Sequence, residues 1–184
     1  MNRKTLEIVL YAAGVIGLLC ILVVGFLYFQ QNRKNKYVSA QHNFVLKYPD
    51  GWSYEDGKNN TAVMFFAPSS GELDAFKDNF SVVVQDLSRD PMSLKKYTDQ
   101  AIMQAKVVFK EQLDVVESVS AKVDGNPGHK FVFVGKSNIF DLKLMIVWTI
   151  KGYSAYQFTF TSTAAEFDAY LPQVEAMIAS IKLP

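Results

Sequence analysis

The pattern of apolar side chains divides the sequence into two parts. From Ile8 to Phe29 the chain runs for 22 residues without a charge, whereas beyond residue 42 apolar and polar side chains alternate. At 1.5 Å per residue the first run forms about 33 Å of helix, which matches a hydrocarbon core of about 30 Å. The pattern therefore predicts one transmembrane helix over residues 8–29, followed by a folded domain.

Seven segments of the second part have the two-residue period or the apolar character of β-strands. They are His42–Tyr48, Thr61–Ala67, Asn79–Leu87, Asp114–Val123, His129–Gly135, Phe140–Ile150 and Tyr153–Phe160. Turn signals separate several of them, the strongest being Asp124–Gly128 and the Lys151-Gly152 pair.

Two further segments have a helical period. In Ser93–Gln112, one stripe faces a predicted core, and Ser93 is a candidate N-cap. That stripe consists of Leu94, Tyr97, Ala101, Ile102, Ala105, Val108 and Phe109. In Thr163–Ile181, Thr163 and Glu166 have the spacing of a capping box, and Pro172 is expected to kink or restart the helix.

The order of these elements defines the fold class. Strands precede each predicted helix, and consecutive strands joined by tight turns pair antiparallel. We therefore expect an α+β domain in which helices pack on an antiparallel sheet.

Charge is distributed as unevenly as hydrophobicity. The chain has 184 residues and a formal net charge of +1, but residues 1–36 carry +4 and residues 37–184 carry −3. An acidic domain without a basic run does not resemble a nucleic-acid binder. The one cysteine, Cys20, excludes an intramolecular disulfide and a Cys-based metal cluster.

The predicted organisation has three parts. Residues 1–36 form a single-pass membrane anchor with basic flanks, residues 37–41 a linker, and residues 42–184 the folded domain. A cleaved signal peptide is the alternative, but its apolar region usually spans only about 7–15 residues. Lysines and arginines flank both ends of the apolar run, so their count leaves the membrane orientation open.

Candidate chemistry is sparse in the domain. It has no cysteine and only two histidines, His42 and His129, and it contains no G-x-S-x-G, Walker-type or HExxH motif. Asp124 and His129 flank a turn and could approach each other, but two ligands rarely make a metal site. The acidic pairs Glu55-Asp56 and Glu72/Asp74 fall in predicted loops, where carboxylates are solvated. The sequence thus predicts no catalytic, cofactor-binding or metal-binding residue.

Contact surfaces are the remaining candidates. The loop from Pro68 to Asp78 is long and carries Leu73 and Phe76 among charges, and long loops within compact domains are often functional. We take Leu73 and Phe76 as possible partner contacts. Five aromatic residues could line a ligand groove, although their spacing favours sheet core; they are Trp52, Trp148, Tyr153, Tyr156 and Phe158.

Several short motifs resemble the PsbP-like family, the fold of the extrinsic photosystem II protein PsbP and its bacterial relatives. They begin with Phe44-x-x-x-Tyr48-Pro49-x-Gly51-Trp52 and continue with Asp78–Val84 and Ser93-Leu94-x-x-Tyr97. They end with Gly125-x-Pro127-Gly128, Trp148, Ala155-Tyr156-x-Phe158-Thr159, Phe167-x-x-Tyr170 and Met177-Ile178-x-Ser180. The resemblance covers about residues 42–183. It implies an α/β/α sandwich around an antiparallel sheet and a non-enzymatic role outside the cytoplasm or in a thylakoid lumen.

The combined prediction is a membrane-anchored, non-enzymatic binding or assembly module. Its domain would face away from the cytoplasm and dock onto a protein partner in a membrane complex or the envelope. The alternative is a sensor for a small ligand or a divalent metal, which requires a pocket with converging polar groups near the Trp or His residues.

Overall fold

A computed structural model of the chain describes residues 35–57, 61–69, 71, 76–136 and 141–184. The predicted transmembrane segment Ile8–Phe29 lies outside these residues. Within the described ranges, neither α-helix is both long and apolar enough to cross a bilayer.

The described part contains nine strands and two α-helices. The helices are α1 (Leu94–Phe109) and α2 (Phe167–Ala179), and a 3₁₀ turn at Lys110–Gln112 follows α1. The strands are β1 (Lys36–Ser39), β2 (Phe44–Lys47), β3 (Ser53–Asp56), β4 (Val63–Phe66), β5 (Asn79–Asp86), β6 (Leu113–Val123), β7 (Asn126–Gly135), β8 (Leu142–Lys151) and β9 (Ser154–Thr163).

Seven of the strands form one antiparallel sheet in the order β3-β4-β5-β9-β8-β7-β6, and β1 pairs with β2 separately. The hairpin β6–β7 turns through Asp124 and Gly125, which both have positive φ (48° and 76°). This geometry matches the right-handed twist of the strands. The turn predicted over Asp124–Gly128 is thus confirmed at Asp124 and Gly125, whereas the next three residues belong to β7, which starts before the predicted His129.

The sheet has a helix on each face. Helix α1 packs against a cluster that includes Phe131, Phe133 and Trp148. Helix α2 and the β1–β2 pair pack against the opposite cluster, which includes Val132, Val147 and Phe158. Because neighbouring strand residues point to opposite faces, the alternation within β7 and β8 divides the core in two. The predicted α+β, α/β/α architecture is confirmed.

Two strands lie where the sequence predicted none. Residues 37–41, expected as a linker, instead contribute β1, whose Tyr37 is buried against Phe44 and Phe65. The pair Glu55-Asp56, expected in a loop, belongs to β3, all four residues of which are exposed. Both strands span four residues and, unlike the equally short β2 and β4, contain few apolar side chains, so no apolar pattern identifies them.

Helix α1 begins as predicted. The Ser93 hydroxyl accepts a hydrogen bond from the Lys96 backbone N–H at 3.2 Å. The helix ends three residues before the predicted Gln112, where Lys110 takes a positive φ of 50°.

Helix α2 differs from the prediction at its start and at its proline. The Thr163 hydroxyl does accept from the Glu166 N–H at 3.3 Å, but Thr163 ends β9, and α2 begins only at Phe167. The bond therefore forms the turn before the helix. The helix continues through Pro172, so the predicted restart at this residue is wrong, and the alternative of a kink stays a prediction. The proline nitrogen removes only one intrahelical bond, and the side chain is exposed.

Candidate functional site

The outer face of α1 exposes large apolar side chains. Met103, Val107 and Val108 have relative exposures of 59%, 67% and 72%. Met103 and Val107 are four residues apart and thus neighbours on one helix face. Val108, predicted to face the core, is exposed as well, but consecutive helix residues point about 100° apart, so it does not share the face of Met103 and Val107. The core side of this end of the helix is occupied by Phe109, whose ring centroid lies 5.1 Å from that of Phe133.

Lysines border this apolar surface. Lys96, Lys106 and Lys110 are exposed on α1 and its C-terminal end. We call the set of Met103, Val107 and these three lysines the α1 ridge. A surface helix normally places polar residues outward, so this exposed apolar pair makes the α1 ridge a candidate contact surface.

A cavity of about 630 Å³ lies on the other side of the domain, between β1 with its following turn and the neighbouring ends of β3 and β4. This volume is within the range of small-molecule sites, about 300–1,000 Å³. Its polar lining comes from Tyr37, Ser39, Gln41, His42, Asp56 and Thr61.

One hydrogen bond joins β1 to β3 in the wall of the cavity. The Tyr37 hydroxyl donates to an Asp56 carboxylate oxygen at 2.6 Å. Burial, and then the bond to the Asp56 carboxylate, raise the pKa of Tyr37 well above its ordinary value. The phenol therefore stays protonated and holds the Asp56 carboxylate in one orientation, which leaves the other oxygen of Asp56 as an acceptor.

The structure does not bring Asp124 and His129 together. Asp124 accepts hydrogen bonds from Lys182 Nζ at 2.8 Å and from the Leu183 backbone N–H at 3.0 Å. The His129 ring instead stacks on Trp148, with centroids 5.2 Å apart, and its Nε2 lies 2.9 Å from Ser118 Oγ. Burial lowers the pKa of His129. In the part of the chain that the structure describes, no three His, Cys, Asp or Glu residues cluster as metal ligands would.

The structure describes only part of the predicted contact loop from Pro68 to Asp78. Leu73, Glu72 and Asp74 lie outside the described residues. Phe76 is half-buried, and the next residue, Lys77, places its ammonium 4.3 Å above the Phe66 ring. The assignment of Leu73 and Phe76 to a partner contact therefore stays a prediction.

Most of the aromatic residues considered for a groove lie in the core. Trp52, Trp148, Tyr156 and Phe158 are buried, and only Tyr153 is exposed. The indole N–H groups of Trp52 and Trp148 donate to Gln173 at 2.7 Å and to Thr98 at 2.8 Å. The interpretation as sheet core is thus correct for four of the five.

The sequence patterns did not predict the α1 ridge or the cavity. The ridge could have been predicted, since Met103 and Val107 fall outside the core stripe of their helix. The cavity could not, because β1 meets β3 and β4 only in the folded chain.

Comparison with known proteins places this geometry in a family. The PsbP family model matches residues 32–183. The solution structure of the cyanobacterial PsbP, CyanoP, from Synechocystis sp. PCC 6803 superimposes with a TM-score of 0.57 at 13% identity, over 82% of this chain and 92% of that one. LpqN from Mycobacterium tuberculosis superimposes with a TM-score of 0.59 at 10% identity, over 85% and 95%. No curated protein matches the sequence. With the family model extending over most of its length, this chain belongs to the PsbP family.

Proposed function

We propose that this protein is a membrane-anchored, non-enzymatic binding or assembly module. A single transmembrane helix over residues 8–29 would hold the PsbP domain at the membrane, on the side away from the cytoplasm. The domain would dock onto a protein partner in a membrane complex or the envelope.

The observation that carries this proposal is the α1 ridge. Met103 and Val107 remain largely exposed, although burying each such side chain is worth roughly 1.5–3 kcal/mol. A partner that covers them gains this energy on binding. LpqN, which shares the fold, is described as involved in cell envelope biogenesis, and an envelope partner is compatible with that role.

An anchor would make a weak interface sufficient. Tethering two proteins to one membrane replaces a bimolecular encounter with a local one, and effective concentrations can then reach the millimolar range. The proposed partner contact therefore does not need a large buried area.

Two measurements test the proposal. Protease added to the outside of sealed cells or vesicles is expected to digest the domain while residues 8–29 stay in the membrane fraction. Purification of the full chain from mild detergent is expected to recover a protein partner in stoichiometric amount, and Val107→Glu should reduce its yield. Protection of the domain from external protease would contradict the orientation, and recovery of the chain alone would contradict the docking role.

The cavity supports a second candidate, a small-ligand sensor. We propose that it would bind a polar molecule through Asp56, Thr61 and the neighbouring backbone of β1. Ala40→Phe fills the cavity mouth, whereas Ala169→Phe makes the same change on the exposed surface of α2. A compound or divalent ion that raises the melting temperature of the wild type and of Ala169→Phe, but not of Ala40→Phe, would support this role. Equal shifts in all three proteins would exclude the cavity.

A further inference from the structure

The α1 ridge differs in charge from the rest of the domain. Residues 93–110 contain four lysines and one aspartate, a net charge of +3, within a body whose total is −3. The remainder of residues 37–184 therefore carries −6. One helix supplies a basic surface on an otherwise acidic domain.

The lysines at the two ends of α1 have different surroundings. Lys95 pairs with Asp99 at 2.7 Å and Lys96 lies 3.8 Å from Asp90, so the N-terminal turns are partly neutralised. Lys106 and Lys110 follow at the C-terminal end and flank Val107 in sequence and on the surface. A basic residue in the last turn interacts favourably with the helix dipole, but that effect does not account for the exposed Met103 and Val107 beside it.

These features select one kind of occupant. A second copy of this chain placed on the same surface would bring Lys106 and Lys110 of both copies together, and these like charges repel each other. Helices that lie in a membrane interface usually insert Trp, Phe or Leu, whereas the exposed apolar residues of the α1 ridge are Met103 and Val107. A protein surface that combines carboxylates with a few apolar side chains complements both the lysines and the small apolar strip.

We propose that the α1 ridge docks an amphipathic helix of a partner protein, in which carboxylates flank an apolar stripe. Met103 and Val107 form an i, i+4 row that fits the groove of another helix. Lys106 and Lys110 would pair with the flanking carboxylates. This inference rests on the proposed docking function and adds the site and the chemistry of the partner.

Site-specific photocrosslinking of the full chain in its native membranes tests this proposal. Met103→benzoylphenylalanine places the probe on the α1 ridge, and Glu175→benzoylphenylalanine places it on α2, across the sheet. The first probe is expected to form a protein adduct, whose crosslinked peptide contains apolar residues with Asp or Glu three or four positions away. The second should not form that adduct.

Charge reversal supplies the matched test. Lys106→Glu/Lys110→Glu should weaken the adduct at least about fivefold, since two exposed ion pairs become repulsive. The pair Lys47→Glu/Lys122→Glu makes the same change in net charge at exposed positions of β2 and β6 and should leave the adduct yield unchanged. Thermal unfolding of each variant shows that the fold is intact.

The outcomes separate this inference from the proposed function. If purification recovers a partner but the probe at 103 does not reach it, or reaches a basic segment, the docking function stands and this inference fails. Adducts with lipid or with a second copy would also overturn it. If no partner is recovered and neither probe crosslinks to protein, both proposals fail.

Discussion

The side chain of one residue, Asp124, binds the C-terminal segment of the domain to the sheet. Asp124, in the β6–β7 turn, accepts hydrogen bonds from Lys182 and Leu183 and so joins the C-terminal segment to the sheet. The same segment pairs with β2 through a bridge between Val45 and Lys182. A residue that was a candidate metal ligand by its position is thus a structural acceptor.

Stability should depend on pH through Asp124. The bond from Lys182, followed by that from Leu183, lowers the pKa of Asp124 below its ordinary value of 3.8. A carboxyl whose pKa is lower in the folded state stabilises the fold above its unfolded pKa and loses that contribution as the pH falls through the folded value. Asp124→Asn should therefore lower the urea midpoint at pH 7, and the gap to wild type should close below pH 3.8.

Asp114→Asn is the control for that measurement, because it makes the same change at an exposed position of β6. Its midpoint should follow that of the wild type at pH 7. Equal midpoints for Asp124→Asn and wild type at pH 7 would show that the charged carboxylate of Asp124 contributes nothing to stability.

The buried indole of Trp148 gives a second prediction at this scale. Its N–H donates to Thr98 Oγ1 at 2.8 Å, and Thr98→Val removes the acceptor while preserving the shape of the side chain. The unsatisfied donor should cost about 1–3 kcal/mol of unfolding free energy. Thr98→Ser keeps the hydroxyl and should cost less. Chemical denaturation followed by tryptophan fluorescence measures both, and equal stability of Thr98→Val and wild type would contradict the role of this bond.

At the scale of elements, a local signal determines where α1 begins, and a tertiary contact determines where it ends. Ser93 starts the helix through its hydroxyl, which any N-cap serine can do. The helix ends where Lys110 adopts a positive φ and Phe109 packs on Phe133. The start is therefore a local property, whereas the end depends on the strand beneath it.

The N-cap yields a test of the element. Ser93→Ala should lower the unfolding free energy by about 1 kcal/mol, because the Lys96 N–H loses its acceptor. Ser93→Asp retains an oxygen at that position and should remain close to wild type. The measurement is the urea midpoint, and a loss of stability in Ser93→Asp equal to that in Ser93→Ala would contradict the capping role.

For the whole molecule, β1 completes one of the two cores. Tyr37 is only 8% exposed and contacts Phe44, Tyr54 and Phe65 with ring centroids 5.3–5.8 Å apart. In the sequence, the predicted anchor ends at Phe29 and β1 begins at Lys36. Within the described residues 35–57, the segment expected as a linker is part of the fold.

Truncation of Tyr37 tests whether β1 is integral to the fold. Tyr37→Ala should destabilise the domain by about 3 kcal/mol, as for other buried aromatic residues. Val38, its neighbour on the same strand, is 58% exposed, and Val38→Ala should change stability by no more than about 0.5 kcal/mol. Equal, small effects in both variants would mean that residues 36–39 behave as a linker.

Prediction from sequence succeeded where a pattern repeats and failed where it does not. The long strands and both helices have enough residues for a period to be recognised, and Phe131, Phe133 and Trp148 fall on the face that their alternation requires. Strands β1 and β3 have four residues each. They pair with the next strands along the chain, β2 and β4, but unlike these they contain few apolar residues from which a pattern could be recognised. Val108 has the spacing of a core residue, yet the sheet beneath α1 leaves it exposed.

By itself, the sequence determined the fold class, the family resemblance and the absence of familiar catalytic motifs, because periodicity, turns and motif spacing are local properties. The tertiary structure alone decided which faces remain uncovered. It placed Met103, Val107 and their lysines on an open surface, formed the cavity between β1 and the sheet, and bonded Asp124 to the C-terminal segment. The cavity and the bonds of Asp124 depend on contacts between residues distant in sequence, which no local pattern encodes. The residues of the α1 ridge fall outside the core stripe of their helix, and they are exposed because no other element within the described residues covers them.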